Sequence, residues 1–310
     1  MSLKKHNQVK GYAFGTVLLW ASAFVFTKVA LTYFTPSAIG VLRYLTASIL
    51  FLIIVFSKRI GLPERKDIPL FLLSGAIGFT LYMITFNEAS PFLTSATGSI
   101  IIASAPVITA VLANVVFREK IKLMGWIAIA IEFSGILILT LWDGVFTINK
   151  GILWMLGAAM CISVYNLFQR YYIKKYSALQ ATAYNIFAGT LFLLIYLPSA
   201  AMQLKAAPVQ QWMVIIFMGI FPSALAYLWW SKAISLAEKT SDVTNFMFVT
   251  PFLATLMGFF IIGEAPTAAT IVGGGIIFTG LLMFQKMNSH SGAVKKDVSS
   301  ISTNENIENQ

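Results

Sequence analysis

Ten apolar stretches, each about as long as a bilayer is thick, follow one another along the chain with only short polar connections between them. A hydrocarbon core about 30 Å thick takes roughly 20 apolar residues of helix. Within it every backbone N–H and C=O must be satisfied by protein, which selects helices or closed barrels. The stretches are 11–33, 38–57, 69–87, 94–117, 123–142, 151–170, 179–200, 210–231, 241–262 and 267–285. They predict an all-α integral membrane protein of ten transmembrane helices, with no room for a separate soluble domain. Composition points the same way: only 11% of the 310 residues are charged, against roughly 25% in a soluble domain. That is too little to cover a water-facing surface. The first stretch continues past Ala21-Ser22-Ala23, so it reads as an uncleaved helix rather than a secretory signal.

Residues 1–10 and 286–310 are polar, and the tail, rich in Ser, Asn, Lys and Glu, is expected to be disordered. The net charge of +10 invites a nucleic-acid reading, but its distribution argues otherwise. With the N-terminus placed in the cytoplasm, 18 Lys/Arg fall on inner segments. These are Lys4, Lys5 and Lys10; Lys58, Arg59, Arg65 and Lys66; Arg118, Lys120 and Lys122; Arg170, Lys174 and Lys175; Lys232 and Lys239; and Lys286, Lys295 and Lys296. The outer loops hold only Lys150 and Lys205, while Lys28 and Arg43 lie within helices. This positive-inside pattern puts both termini in the cytoplasm. The charge is a membrane address, and no nucleic-acid partner is expected. The compact loops suit a bacterial plasma membrane.

The chain also resembles itself. A shift of 140 residues brings Gly11 onto Gly151, Ser37-Ala38 onto Ser177-Ala178, and Tyr44 onto Tyr184. A shift of 144 brings Gly75 onto Gly219 and Ala89 onto Ala233, and one of 145 brings Pro106 onto Pro251, Glu119 onto Glu264 and Gly135 onto Gly280. The halves are 11–142 and 151–285, five helices each. Because five is odd, the second half must be inverted relative to the first. Inverted repeats that rock about a shared midplane site belong to secondary carriers.

Trp20-Ala21-Ser22-Ala23-Phe24 with Lys28, then Pro36, Arg43, Pro106, Arg118-Glu119 and Gly125-Trp126 to Gly135, are echoed by Pro251, Gly263-Glu264 and Gly280. In order, spacing and duplication this resembles the drug/metabolite transporter superfamily, EamA branch, across essentially the whole membrane region. The resemblance implies an exporter or exchanger of small metabolites, often amino acids. It also implies a central cavity lined mainly by helices 1–4 and 6–9, with helices 5 and 10 peripheral.

Several residues are candidates for chemistry. Pro106 and Pro251 each free a carbonyl near mid-span, at corresponding places in the two repeats, where carriers tend to bind or gate. Ser104, Thr109, Asn245 and Thr250 are nearby polar groups, and a kink that only shapes packing is the alternative. Lys28 and Arg43 could hold an anionic substrate, Arg43 by a bidentate grip on a carboxylate. Each is also near enough to its outer helix end, roughly 7–8 Å away, to snorkel. Trp20, Tyr82, Asn87, Asn166, Asn185, Tyr227 and Trp230 combine flat apolar faces with hydrogen-bonding groups, which suits amphipathic metabolites. Trp142, Trp212 and Trp229 read as interfacial belt.

Glu132, mid-span with no route to water, could carry a coupling proton, or could be a carboxyl bonded to a neighbouring helix. Glu119 and Glu264 read as helix-end caps or ion-pair partners. Gly273-Gly274-Gly275 and Gly280 permit close helix approach or homodimerisation.

Other chemistries lack the residues they need. One cysteine, Cys161, cannot form a disulfide within the chain, and His6 and His290 lie in polar ends. No Gly-Lys pair exists for a phosphate loop. No catalytic, cofactor or metal residues are therefore assigned. The expectation is a secondary carrier moving a small polar or amphipathic metabolite across the bilayer by alternating access, driven by exchange or protons. A proton-coupled exporter of lipophilic cations, which would need Glu132, is the alternative within transport. An intramembrane enzyme, a channel and a non-transporting assembly protein are the alternatives outside it.

Overall fold

Short polar residues just ahead of the apolar runs fix where helices begin. Thr35, Thr94 and Ser177 are extended, and each accepts a hydrogen bond on its side-chain oxygen from a backbone N–H three residues on, in Ala38, Thr97 and Gln180. Each cap satisfies one of the donors that a helix start leaves free. The computed structural model describes residues 3–118, 121–142, 149–172, 174–237, 243 and 245–284. Glu119 and the tail 286–310 lie outside them.

Among the described residues there are ten long helices: α1 Leu3–Ala30, α2 Pro36–Ser57, α3 Arg65–Phe92, α4 Ser95–Phe117, α5 Leu123–Leu141, α6 Lys150–Tyr172, α7 Ala178–Ala206, α8 Val209–Ile234, α9 Phe246–Ile262 and α10 Ala268–Phe284. Seven are long and apolar enough to cross a membrane, and α5, α9 and α10 are shorter apolar helices. Among the described residues there is no strand. Helices α3 and α7 outrun the apolar stretches that announced them. An apolar run marks the hydrocarbon depth, whereas a helix continues to its next cap or breaker, here Thr94 and Pro208. Ten successive crossings put the start of α1 and the α2–α3, α4–α5, α6–α7 and α8–α9 connections at one end, called here the lysine-rich face.

The inverted repeat is visible in backbone irregularities. Residues Ala76–Leu81 of α3 and Phe221–Leu225 of α8 are wound as π-helix, beginning 145 positions apart. Helices α4 and α9 end on left-handed residues, Arg118 (φ 54°) and Gly263 (φ 68°), again 145 apart. The caps correct one detail of register. Thr35 rather than Ser37 is the counterpart of Ser177, so the second helices match at a shift of 142.

Helix α1 lies along α8 and α9, α2 along α7 and α8, α3 along α6 and α7, and α4 along α6 and α9. Helices α5 and α10 pair with each other: a Cβ on Gly135 would stand 2.6 Å from the Gly273 carbonyl oxygen, and one on Gly280 2.8 Å from the Glu132 nitrogen. Gly273 and Gly280, expected to allow close approach, therefore serve a contact within the chain, whereas nothing lies within 4 Å of a Cβ on Gly275.

Candidate functional site

The π-wound turns re-aim the side chains that follow them, as single π turns inside helices commonly do at functional sites. In α8 the turn contains Pro222, which has no N–H for the regular ladder. It presents Ser223, fully buried, to α2. There Arg43 donates from Nε to Ser223 Oγ at 2.5 Å. Arg43 is only 6% exposed, so its guanidinium points into the bundle rather than toward the helix end. None of the ion pairs among the described residues involves it.

Tyrosines lie near this cation. Tyr44, Tyr82 and Tyr227 lie within electrostatic reach of Arg43 and of one another, and Tyr165 lies within reach of Tyr44 and Tyr227. Phe79 links them, with ring centroids 5.7 Å from Tyr44, 5.0 Å from Tyr165 and 6.1 Å from Tyr227. Trp20 of α1 extends the aromatic wall, 5.5 Å from Tyr227 and 5.1 Å from Trp230. Tyr82 and Tyr227 are counterparts, 145 positions apart, each just beyond a π turn. A buried cation beside amphipathic rings can hold an anionic group while the rings take an apolar one.

The remaining expected residues are placed elsewhere. Lys28, at the end of α1 away from the lysine-rich face, pairs with Glu264 in the α9–α10 connection. The other Glu264 oxygen accepts from the Ser95 backbone N–H at 2.8 Å. Burial pushes the Glu264 carboxyl up, but the Lys28 ammonium and the Ser95 amide outweigh it and hold the group below its usual range.

Asn185 is fully buried between α3 and α7, donating to the Ala181 carbonyl at 2.7 Å and accepting from the Ser74 hydroxyl. Asn166 donates to Thr109 Oγ1 at 3.2 Å, joining α6 to α4. Asn87 donates to the Pro36 carbonyl at 2.9 Å. Pro106 and Pro251 sit in the first turns of Ala105–Phe117 and Thr250–Ile262, just past breaks at Ser104 and Val249. The 3-10 segment Asn245–Val249 leads into the second of these, and the Asn245 side chain lies outside the described part. Glu132 is fully buried in the α5–α10 seam, and neither carboxyl oxygen has a hydrogen-bond partner there.

Sequence reasoning missed Ser223, Tyr44 and Tyr165. Adjacency to Arg43 and Asn166 was a signal for the two tyrosines, and the preceding Pro222 for the serine. It also missed a cluster on the lysine-rich face. Buried Asp67 accepts from Tyr171 at 2.9 Å and also from Tyr176 and Lys175. Glu64 pairs with Lys175 at 2.7 Å and Lys66 at 3.0 Å, and their hydrogen bonds hold its carboxyl below the usual range. No group of three or more His, Cys, Asp or Glu suited to a metal occurs among the described residues.

The sequence pattern of the EamA-like transporter family matches residues 10–141 and 149–285, one match on each five-helix half. The chain is 32% identical over 276 residues to the uncharacterized transporter YdfC of Bacillus subtilis (strain 168), covering 87% of this chain and 90% of that one. It is 28% identical over 274 residues to a protein of Streptantibioticus cattleyicolor named "Probable terminal-alkyne amino-acid exporter", covering 87% and 91%. A solved crystal structure with 16% identity superposes with a TM-score of 0.59, covering 91% of this chain and 98% of that one. That likeness speaks to the fold alone.

Proposed function

Since the chain belongs to the EamA-like transporter family and is a multi-pass membrane transporter, we propose that it is a secondary carrier that exports or exchanges a small carboxylate-bearing metabolite such as an amino acid. The observation that carries this reading is Arg43, a buried guanidinium held by Ser223 near several tyrosines, with no protein carboxylate bound to it among the described residues. Leaving a buried charge without an opposite charge is costly. A substrate carboxylate would relieve that cost, and bidentate geometry would orient it. Trp20, Tyr82, Tyr227 and Trp230 would take the apolar part. The amino-acid exporter among its relatives supports this class of substrate.

In this proposal the lysine-rich face is cytoplasmic, both termini lie inside a bacterial plasma membrane, and 11–142 and 151–285 rock as two units about the Arg43 site. Pro106 and Pro251 hinge α4 and α9, and exchange or a proton gradient supplies the driving force, with Glu132 the candidate proton carrier.

The test is counterflow into proteoliposomes. Preloading with an unlabelled amino acid should accelerate entry of its labelled form, and Arg43→Gln should abolish the acceleration. Absence of counterflow for amino acids and other carboxylates, together with Glu132-dependent export of cationic dyes, would replace this reading with that of a multidrug exporter.

A further inference from the structure

The two ends of the α4–α9 seam differ. Away from the lysine-rich face, Ser95–Ala103 of α4 packs along Thr250–Ile262 of α9. Toward the lysine-rich face, Ala105–Phe117 packs on α6, while Asn245–Val249 lies against α1. Among the described residues, the contact between α4 and α9 is thus concentrated at one end. At that end Glu264, from the second repeat, receives Lys28 and the Ser95 amide, both from the first. Next to it, Thr97 of α4 and Thr270 of α10 share a hydrogen bond at 2.8 Å. Close backbone approach reinforces the contact, since a Cβ on Gly258 would lie 3.4 Å from the Ser95 Cβ.

We propose that Lys28, Glu264 and the Ser95 amide form the latch of the outer gate, which parts each time the carrier opens outward. The inference rests on the carrier reading and on the orientation proposed above. Three features fit a latch better than a permanent clamp. The Lys28 and Glu264 side chains keep 22% and 18% of their exposure, so water can take over both charges as they separate and the penalty of stripping buried ions is avoided. Glu264 follows the left-handed Gly263 in a connection five residues long, between α9 and α10, so it travels with the second repeat. Its amide partner sits in the first turn of α4, where a helix N-terminus favours a carboxylate. By contrast, the α3–α7 and α2–α8 seams interlock backbone to backbone through Gly75 and Gly219, which leaves no such freedom.

The experiment uses the full chain with Cys161→Ala, Thr97→Cys and Thr270→Cys in proteoliposomes, assayed by counterflow. Oxidation should form a disulfide across the seam and cause loss of counterflow, and reduction should restore it. A cross-linked protein that still exchanges substrate, or folded protein that forms no cross-link, would overturn the latch. Loss of counterflow in the reduced parent as well would instead count against the carrier reading. In the single Thr97→Cys protein, Glu264→Gln and Lys28→Met should each raise labelling by a membrane-impermeant thiol reagent from outside. The exchanged pair Lys28→Glu/Glu264→Lys should lower it again. Labelling unchanged by the single substitutions would show that the ion pair does not hold the gate.

Discussion

Arg43 and Asn185 occupy the same place in the two halves of the fold. The backbone carbonyl oxygen of each stands 2.8 Å from where a Cβ would sit on the facing glycine, Gly219 for Arg43 and Gly75 for Asn185. The backbone is therefore nearly symmetric here while the chemistry is not. Asn185 is satisfied by Ser74 and its own helix, whereas Arg43 has the Ser223 hydroxyl and tyrosines nearby. Symmetry-related packing holds the scaffold, and the departure from symmetry falls at the candidate site.

Substitutions at Arg43 should therefore cost transport rather than folding. Arg43→Gln is expected to lose about 2–5 kcal/mol of substrate interaction, typical of truncating one partner of a buried charge pair. Arg43→Lys keeps the charge but not the planar fork, so it should raise the half-saturating concentration while retaining some maximal rate. Ser223→Ala should have a smaller effect in the same direction. Counterflow at graded substrate concentrations reads all three, and equal, small losses would argue against carboxylate recognition by Arg43.

Gly219→Ala and Gly75→Ala should behave oppositely, lowering stability before activity. The added methyl would meet Thr46 Cβ at 2.4 Å or Ala188 Cβ at 2.6 Å. Overpacking of this kind typically costs about 1–3 kcal/mol. Thermal unfolding in detergent should show both variants melting lower than the parent. A melting temperature within error of the parent would mean that these seams can spread.

Much of this architecture was legible because the bilayer simplifies the reading: ten apolar runs require ten helices, and an odd repeat requires inversion. The π turns were less visible. Pro222 hints at the one in α8, but in Ala76–Leu81 Gly78 only weakens a helix without dictating a π turn. Polar residues in the apolar runs were also ambiguous, because a membrane helix uses them both for substrate and for its neighbours. Asn185 and Lys28 turned to protein partners, while Arg43, equally able to snorkel by its position, turned inward. Only the packing of α2 against the π turn of α8 distinguishes these outcomes.

Glu132 offers a third test. Burying a carboxyl with neither oxygen bonded carries a desolvation penalty of at least about 1–3 kcal/mol, and the counterpart position 145 residues on is Ile277. Glu132→Leu should therefore raise thermal stability. If the residue also carries the coupling proton, Glu132→Gln should leave exchange intact while removing the pH dependence of net export. A destabilised Glu132→Leu variant would indicate a partner for the carboxyl.

The Lys28–Glu264 pair should write itself into the acid side of the stability profile. A carboxyl whose folded pKa is lowered takes up protons more readily when unfolded, so stability rises with pH through that range. The contribution is complete above the ordinary value of 4.5 and is lost as pH falls through the lowered one. Glu264→Gln should flatten that part of the melting-temperature curve without altering its neutral plateau shape. An acid-side slope identical to the parent's would remove Glu264 as its source.

Asp67 and Gln211 make the last comparison, since they begin α3 and α8 at equivalent positions, each eight residues before Gly75 or Gly219. On the lysine-rich face Asp67 ties α3 to the α6–α7 region through Tyr171, Tyr176 and Lys175. On the opposite face Gln211 reaches the Val29 carbonyl and Thr32 Oγ1 only at 3.3 Å, and its own amide oxygen is buried without a partner. Charge-assisted hydrogen bonds are roughly twice as strong as neutral ones, and 3.3 Å lies beyond the usual range for N–H···O contacts. Removing the carboxylate also leaves Lys175 with Glu64 alone. Asp67→Asn should therefore lower the melting temperature more than Gln211→Leu, which gives up two weak bonds and relieves an unpaired oxygen. The difference should persist in high salt, because the Lys175–Asp67 contact is largely buried and therefore weakly screened, and a larger loss from Gln211→Leu would reverse the assignment of the stronger clamp to the lysine-rich face.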